Sequence, residues 1–377
     1  MKILHLLYDH RENPWVGGGG AVRAWELNRR LVQRGHEVTN VSGRYPGAAD
    51  HTGDDGIEYR HVGSALSYAA STFSYILGAR KFVKAHADGF DVVVEDFATW
   101  NPLFITGLTT RPTVLHVNHR EGAGVLKRMG PLGLPFYLAE PRYPQHFRHV
   151  TALSEATRRK IGRPDALVLP AGIGAEFIAR QRDRTASRSD RMILFVGRLE
   201  IGNKGLDTLI GAMRFIAEQP AGLGTSLRLV LAGRGRDEAR LHTMAHGLPV
   251  EFAGFVTEQE KERLLNEAAL FVLPSRFEGW GIVVLEAAAC GAPVVVSSIP
   301  ELGYAVADKY GAAFRTGAPA DLARVLLALF ADPARRAAMS EAGRSAVGRY
   351  TWEHITDTYE QYLLSITSIL QNRPTKT

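Results

Sequence analysis

Two carboxylates, Glu278 and Glu286, lie with seven residues between them in FVLPSRFEGWGIVVLEAAACGAPVVVSSIP, residues 271–300. Two cations, Arg198 and Lys204, frame the upstream run GRLEIGNKG. Cations beside a turn can neutralise a diphosphate through charge-assisted hydrogen bonds, with no metal. Carboxylates suit hydroxyl groups. With Glu278 in a loop before a helix and Glu286 one turn inside it, four helical residues separate them by roughly 6 Å. That is about the step from a diphosphate to the ribose of the same nucleotide. One carboxylate then meets ribose hydroxyls, and the other faces whatever hangs off the diphosphate.

The order strand, tight loop, helix, strand delivers this placement. Phe271–Leu273 is an apolar run ended by Pro274-Ser275, and the loop at 276–281 holds two glycines around Trp280. A helix follows from Ile282 to Cys290, stopped by Gly291 and Pro293. Val294–Val296 begins a buried strand. A helix start just beyond a strand's carboxyl end is an anion site, because its first amides lack partners and its dipole favours negative charge. Gly281, Ile282 and Val283 supply those amides. Arg198 and Lys204 flank a turn between the strand Met192–Val196 and the helix Leu206–Glu218.

The whole frame PSxxEGxGxxxxEAxAxGxPV is present, and it resembles the nucleotide-sugar site of glycosyltransferase family 4, retaining enzymes of the GT-B fold. The resemblance implies an α/β chain of two Rossmann-like, doubly wound domains facing a central cleft. Residues 1–175 form the acceptor-binding domain, joined by a C-terminal helix at 355–377 that crosses back. Residues 190–354 form the donor-binding domain. In this setting Glu286 holds ribose and Glu278 meets the donor sugar. Arg198 and Lys204 hold the diphosphate as family residues of the GRL…KG setting do. Val256, after Gly254-Phe255, borders the base, and Arg234, at a strand end in Gly233-Arg234-Gly235, joins the donor-binding cations. No cofactor is implied. The donor is a nucleoside-diphosphate sugar, uridine- or guanosine-linked, and no metal site is expected.

The first domain opens in the Rossmann manner. Lys2–Tyr8 is a strand, Asp9–Gly20 a loop ending in four glycines, and Ala21–Gly35 a helix with Val22, Leu27 and Leu31 on one face. Glu37–Val41 is the second strand. Glycines let backbone approach a ligand closely. In the resembling family this loop nears the donor diphosphate and the acceptor, which makes Gly19 and Gly20 donor-binding. A nicotinamide site fits poorly: the spacing is not GxGxxG, and Ser42-Gly43-Arg44 stands where an acid would hold ribose. Gly56–Val62 reads as a strand and Ala65–Ala87 as a helix whose Tyr68, Phe73, Tyr75, Ile76 and Phe82 serve the core in preference to a membrane contact. Asp91–Glu95 reads as a strand ending in Glu95-Asp96. Acids there either bind acceptor in the crevice or cap a loop. Pro112–Val117 precedes Asn118-His119-Arg120-Glu121. His119, just past the strand, suits a sugar hydroxyl or the charge developing at the reaction centre, and the family has a His at this place. His116, inside the strand, packs.

Residues 124–149 are rich in Pro, Gly, aromatics and Arg. They read as an irregular segment, either an interfacial contact or a loop packed on the flank. Gly172–Arg191 is polar, without periodicity, and reads as the linker.

Length and composition agree with this plan. A chain of 377 residues exceeds one ordinary core. The net charge is +6, and the first 170 residues hold 21 Lys and Arg against 16 Asp and Glu. A basic first half suits an anionic surface, an acidic ligand or simply solvated arginines. No apolar run approaches a membrane span of roughly 20 residues. MKILHLLYDH reads as a strand, not a signal peptide. One buried cysteine, Cys290, fits a reducing cytoplasm, with peripheral contact at the inner membrane face. Expected partners are a nucleotide sugar, a glycan, lipid-linked or small-molecule acceptor, and an anionic membrane, with no nucleic acid. The competing readings are a nucleotide-sugar epimerase on the same fold and a non-catalytic carbohydrate or membrane-surface binder.

Overall fold

Short continuous runs of Val, Ile, Leu and Phe make the strands. Such runs belong to parallel sheets covered on both faces. The computed structural model describes residues 1–15, 18–53, 55–98, 102–182, 188–219 and 226–371. Gly17 of the glycine run, residues 183–187 of the expected linker and residues 372–377 of the expected final helix lie outside them. The chain forms two units, Met1–Ala171 with Trp352–Thr377, and Gly172–Thr351.

Among the described residues the first unit carries eight strands: β1 Lys2–Leu6, β2 Glu37–Gly43, β3 His51–Thr52, β4 Glu58–Val62, β5 Val92–Phe97, β6 Thr113–Val117, β7 His149–Ala152 and β8 Leu167–Val168. Their order is β3-β4-β2-β1-β5-β6-β7-β8. Every pair is parallel except β3 with β4. The sequence winds outward in both directions from β1 and β5, so the switch point lies between the loops after those strands. Leu4, Leu6, Val93, Leu115 and Val150 fill the core with Tyr75, Ala79 and Val83 of the helix Tyr68–His86.

The second unit carries β9 Met192–Val196, β10 Arg228–Ala232, β11 Val250–Gly254, β12 Leu270–Leu273, β13 Val294–Ser297 and β14 Gly311–Phe314. The order β11-β10-β9-β12-β13-β14 is parallel throughout. Its switch point lies between β9 and β12. The loops leaving those two strands are the GRLEIGNKG turn and the PSRFEGWG turn.

Several expectations need correction. The opening helix spans Gly19–Gln33, and its apolar face is Ala24, Leu27 and Leu31, whereas Val22 is 39% exposed. Of the five side chains of the helix Tyr68–His86 expected in the core, Tyr75 is the one fully buried; Ile76 and Phe82 pack at the margin, and Tyr68 and Phe73 are exposed. Residues 124–149 are not irregular: they contain the helices Gly124–Met129 and Leu134–Ala139. The expected linker contains a helix, Ala175–Arg182, in the second unit.

Candidate active site

β9 ends at Val196 and its chain turns through Gly197 into Arg198, Leu199 and Glu200. Leu199 is fully buried and anchors the turn, so Arg198 projects outward with 72% of its side chain exposed, 3.3 Å from Glu200 Oε1. A single helical turn, Ile201–Lys204, closes on Gly205 in the left-handed conformation. That reversal brings Lys204 over the end of β12. Lys204 Nζ lies 2.6 Å from Glu278 Oε2, and each side chain is 16% exposed. The predicted cation and the predicted carboxylate therefore share one locus at the switch point.

The PSRFEGWG loop is held from several sides. Ser275 is buried, and its hydroxyl donates to Glu278 Oε2 at 3.3 Å. Ser297 donates to the Ser275 carbonyl. Arg276 grips both Asp207 oxygens at 2.8 Å and the Ile201 carbonyl at 2.7 Å. Its amide and that of Phe277 donate to Asn203 O. These bonds lock the Glu278 loop to the Lys204 turn. The Trp280 ring stacks on Tyr304 at 4.2 Å, and the Tyr304 hydroxyl donates to Trp280 O at 3.0 Å. Gly281 then takes φ +79 and starts the helix Ile282–Ala289. A side chain would strain that φ, so the EGWG turn needs glycine there.

Along that helix Val284 and Leu285 are buried, while Ile282, Val283 and Glu286 are only half-buried. The amides of Gly281, Ile282 and Val283 thus begin a helix whose partly open side carries Glu286. Glu286 Oε1 accepts from Lys261 Nζ at 2.8 Å. Arg234 is exposed on the loop after β10, and its carbonyl accepts from Leu199 N at 3.0 Å, which seats it beside the Arg198 turn. Val256 is half-buried two residues past β11, next to Phe255 at 73% exposure.

In the first unit, Gly19 and Gly20 open the helix Gly19–Gln33 after Gly18. Asp9 holds this loop: its Oδ2 accepts from Gly18 N at 3.2 Å and its Oδ1 from His10 N at 2.8 Å. Burial pushes the Asp9 carboxyl up to about 7, against the pull of those two amides. His119 is half-buried after β6. The residue before it, Asn118, bridges Asp96 Oδ1 at 2.8 Å and His116 Nε2 at 3.1 Å. His5 Nε2 closes on Asp96 Oδ2 at 2.7 Å, and Arg23, itself buried, reaches the Leu169 carbonyl at 3.2 Å. Burial opposes ionisation of Asp96, but His116, His5 and Arg23 outweigh it and hold the acid at about 2. Burial and Arg23 push His116 down to about 3. This buried network sets where Asn118 and the following His119 emerge.

Glu95 does not occupy the place expected of an acceptor ligand. β5 continues to Phe97, so Glu95 lies within the strand, 1% exposed. Its Oε1 accepts from the Tyr143 hydroxyl at 2.6 Å and from Leu103 N at 3.2 Å. Burial raises its pKa to about 8 despite those two bonds. Reasoning from sequence missed Lys261, Arg276, Asp207 and Asp9. Arg276 and Asp9 had a signal, since each follows a strand at a switch point. Lys261 had none, because its partner is 25 residues away. No group of three or more His, Cys, Asp or Glu suited to a metal ion occurs among the described residues.

Comparison with known proteins places two family segments on the chain. The model described as Glycosyltransferase Family 4 covers residues 17–173, and that described as Glycosyl transferases group 1 covers residues 178–346. The GDP-mannose-dependent monoacylated alpha-(1-6)-phosphatidylinositol monomannoside mannosyltransferase of Corynebacterium glutamicum is 31% identical over 60% of this chain and 62% of its own length. Glycogen synthase of Mycobacterium tuberculosis is 34% identical over 56% of this chain and 52% of its own. The chain thus spans only about half to three-fifths of these relatives. Among solved structures, sucrose-phosphate synthase from Thermosynechococcus elongatus superposes with a TM-score of 0.78 at 19% identity, over 98% of this chain and 99% of that one.

Proposed function

The chain belongs to the glycosyltransferases of family 4 and group 1 and has their GT-B fold; on that premise we propose that it moves a sugar from a nucleoside-diphosphate donor to an acceptor hydroxyl with retention of anomeric configuration. The observation that carries this reading is the convergence of Lys204 and Glu278, 2.6 Å apart, at the mouth of β9 and β12, with Glu286 one turn along the next helix. The donor diphosphate takes the place of the Glu278 carboxylate at Lys204, with Arg198 and the amides of Gly281, Ile282 and Val283 sharing its charge. Glu278, released, faces the sugar hydroxyls, and Glu286 takes the ribose.

As the bond between the anomeric carbon and the phosphate oxygen stretches, negative charge grows on the leaving phosphate. Fixed cations and amides stabilise that charge more than the ground state, which lowers the barrier. The acceptor oxygen attacks on the same face. Its proton passes to the leaving phosphate oxygen, and His119 orients a sugar hydroxyl on the acceptor side. This scheme uses no metal. The donor is a guanosine- or uridine-linked sugar, and the acceptor is a glycan, a lipid-linked sugar or a small molecule. Exposed Leu132, Leu134 and Leu138 support peripheral contact with anionic lipid at the cytoplasmic face. No helix among the described residues is long and apolar enough to cross a membrane.

The test is nucleotide release from a panel of guanosine-, uridine-, adenosine- and thymidine-diphosphate sugars, with and without a chelator, for wild type and Lys204→Ala. We expect release from one donor, unchanged by chelator. The variant should lose about 100-fold or more, as when one transition-state charge partner is removed. Equal rates in the two proteins would refute the diphosphate assignment, and an inverted anomer in the product would refute retention.

A further inference from the structure

Lys261 stands where packing alone favours an apolar side chain. It lies in the first turn of the helix Glu258–Glu267, which begins where the Thr257 hydroxyl accepts from Glu260 N at 3.2 Å. Leu264 and Leu265, three and four residues on, are buried, so Lys261 shares the inward face. An ammonium group is doubly disfavoured there. Burial opposes its charge, and the positive end of the helix dipole is its neighbour. The side chain is nevertheless only 14% exposed, 2.8 Å from Glu286 Oε1 and 2.7 Å from Glu258 Oε2. Glu258 is 87% exposed and would pair as well with a lysine turned outward. Glu286, 18% exposed, is the partner that lies inward. Methionine would fill the same volume without desolvating an ammonium group, but it would strip Glu286 of this partner, so the lysine answers to Glu286 and not to packing.

We infer that Lys261 is a positioning residue that fixes the Glu286 carboxylate toward the donor ribose and thereby sets a preference for ribonucleoside diphosphates. The inference rests on the reading of Glu286 as the ribose ligand. Lys261 engages Oε1, so Oε2 is the oxygen presented to a ribose hydroxyl. A carboxylate already held in one rotamer loses less freedom when the hydroxyl arrives, and its charge makes the bond a strong one. Released from Lys261, Glu286 must be ordered by the ligand itself.

The experiment measures binding of guanosine and uridine diphosphate, and of their 2′,3′-dideoxy counterparts, to the full chain. The proteins are wild type, Lys261→Met, Lys261→Arg, Glu286→Gln and the double variant Lys261→Met/Glu286→Gln. Wild type should prefer the tighter-binding ribonucleotide over its dideoxy form by about tenfold or more, as expected for a hydrogen bond to a charged group. In Lys261→Met that ratio should fall toward one, with KM for the donor raised and kcat nearly kept. Lys261→Arg should recover part of the ratio. The double variant, which buries no unpaired charge, should lose no more than Glu286→Gln alone, because Lys261 acts through Glu286. A wild-type ratio preserved in a folded Lys261→Met protein would overturn the inference and leave the Glu286 reading standing. A further loss in the double variant would also overturn it, since Lys261 would then touch ligand directly. No ribose preference in wild type would overturn the Glu286 reading itself, and the inference with it.

Discussion

Glu95 points into the interior of the first unit and shares its proton economy with Tyr143. Burial raises its pKa from 4.5 to about 8. The folded protein therefore holds a proton that the unfolded chain releases near pH 4.5. The stability contributed is complete below that pH and is lost as pH rises toward 8, by about 1.4 kcal/mol per unit within the window. Glu95→Gln keeps an acceptor for Tyr143 and removes the titration. We expect its Tm to match wild type near pH 5 and to exceed it increasingly up to pH 8. Parallel profiles from pH 5 to 9 would show that Glu95 is ionised in the fold. Asp9, raised to about 7, leaves the variant a residual slope of the same sign below that pH. At this scale the residue types were legible in the sequence, but the environment of Glu95 was not. Successive strand residues face opposite ways, and two more residues in β5 decide whether the acid pair ends a strand or lies inside it. Nothing local marks that end.

The element that carries Lys204 depends on one glycine. Gly205 has φ +65, and a Cβ there would sit 2.2 Å from the Pro274 carbonyl oxygen. Pro274 is backbone of the loop that carries Glu278, so the two loops touch without a side chain between them. Gly205→Ala pays the left-handed penalty of about 1–2 kcal/mol and must also push the Lys204 turn away from Pro274. We expect a Tm lower by several degrees and a larger proportional loss in nucleoside diphosphate affinity. Unchanged affinity with lowered Tm would show that the Lys204 turn does not hold the diphosphate. The neighbouring Glu278 loop was readable in advance because its signals are local: Pro274-Ser275 ends the strand, two glycines shape the turn, and a mostly apolar run makes the helix. The use of Lys261 in the helix Glu258–Glu267 was not readable, since it depends on a neighbour from another element. The helix Tyr68–His86 failed differently. Its aromatics were assigned to the core by type, whereas the position of Tyr75, Ala79 and Val83 on one face decides which side is buried and leaves Phe73 and Leu77 outside.

Across the whole chain, the last helix, Trp352–Gln371, groups with the first unit although the second unit intervenes in sequence. Trp352, Ile355, Tyr359, Leu363 and Ile366 are buried at helical spacing. Arg30 reaches Glu353 at 2.7 Å, Arg34 reaches Glu360 at 2.7 Å, and His36 reaches the same Glu360 at 2.6 Å. Burying each large apolar side chain is worth about 1.5–3 kcal/mol, against a total domain stability of about 5–15 kcal/mol. Five of them make this helix indispensable to a unit that starts more than 300 residues earlier. A stop after Thr351 should therefore unfold the first unit and spare the second, whose described strands and covering helices precede it. Hydrogen exchange resolves the two outcomes. Protection should vanish from β1, β2 and the helix Gly19–Gln33 in the truncated protein, yet persist in β9, β10 and β12. Loss of protection in both units together would show that the second unit cannot fold without the first, and retention in both would show that the C-terminal helix only decorates a unit already stable.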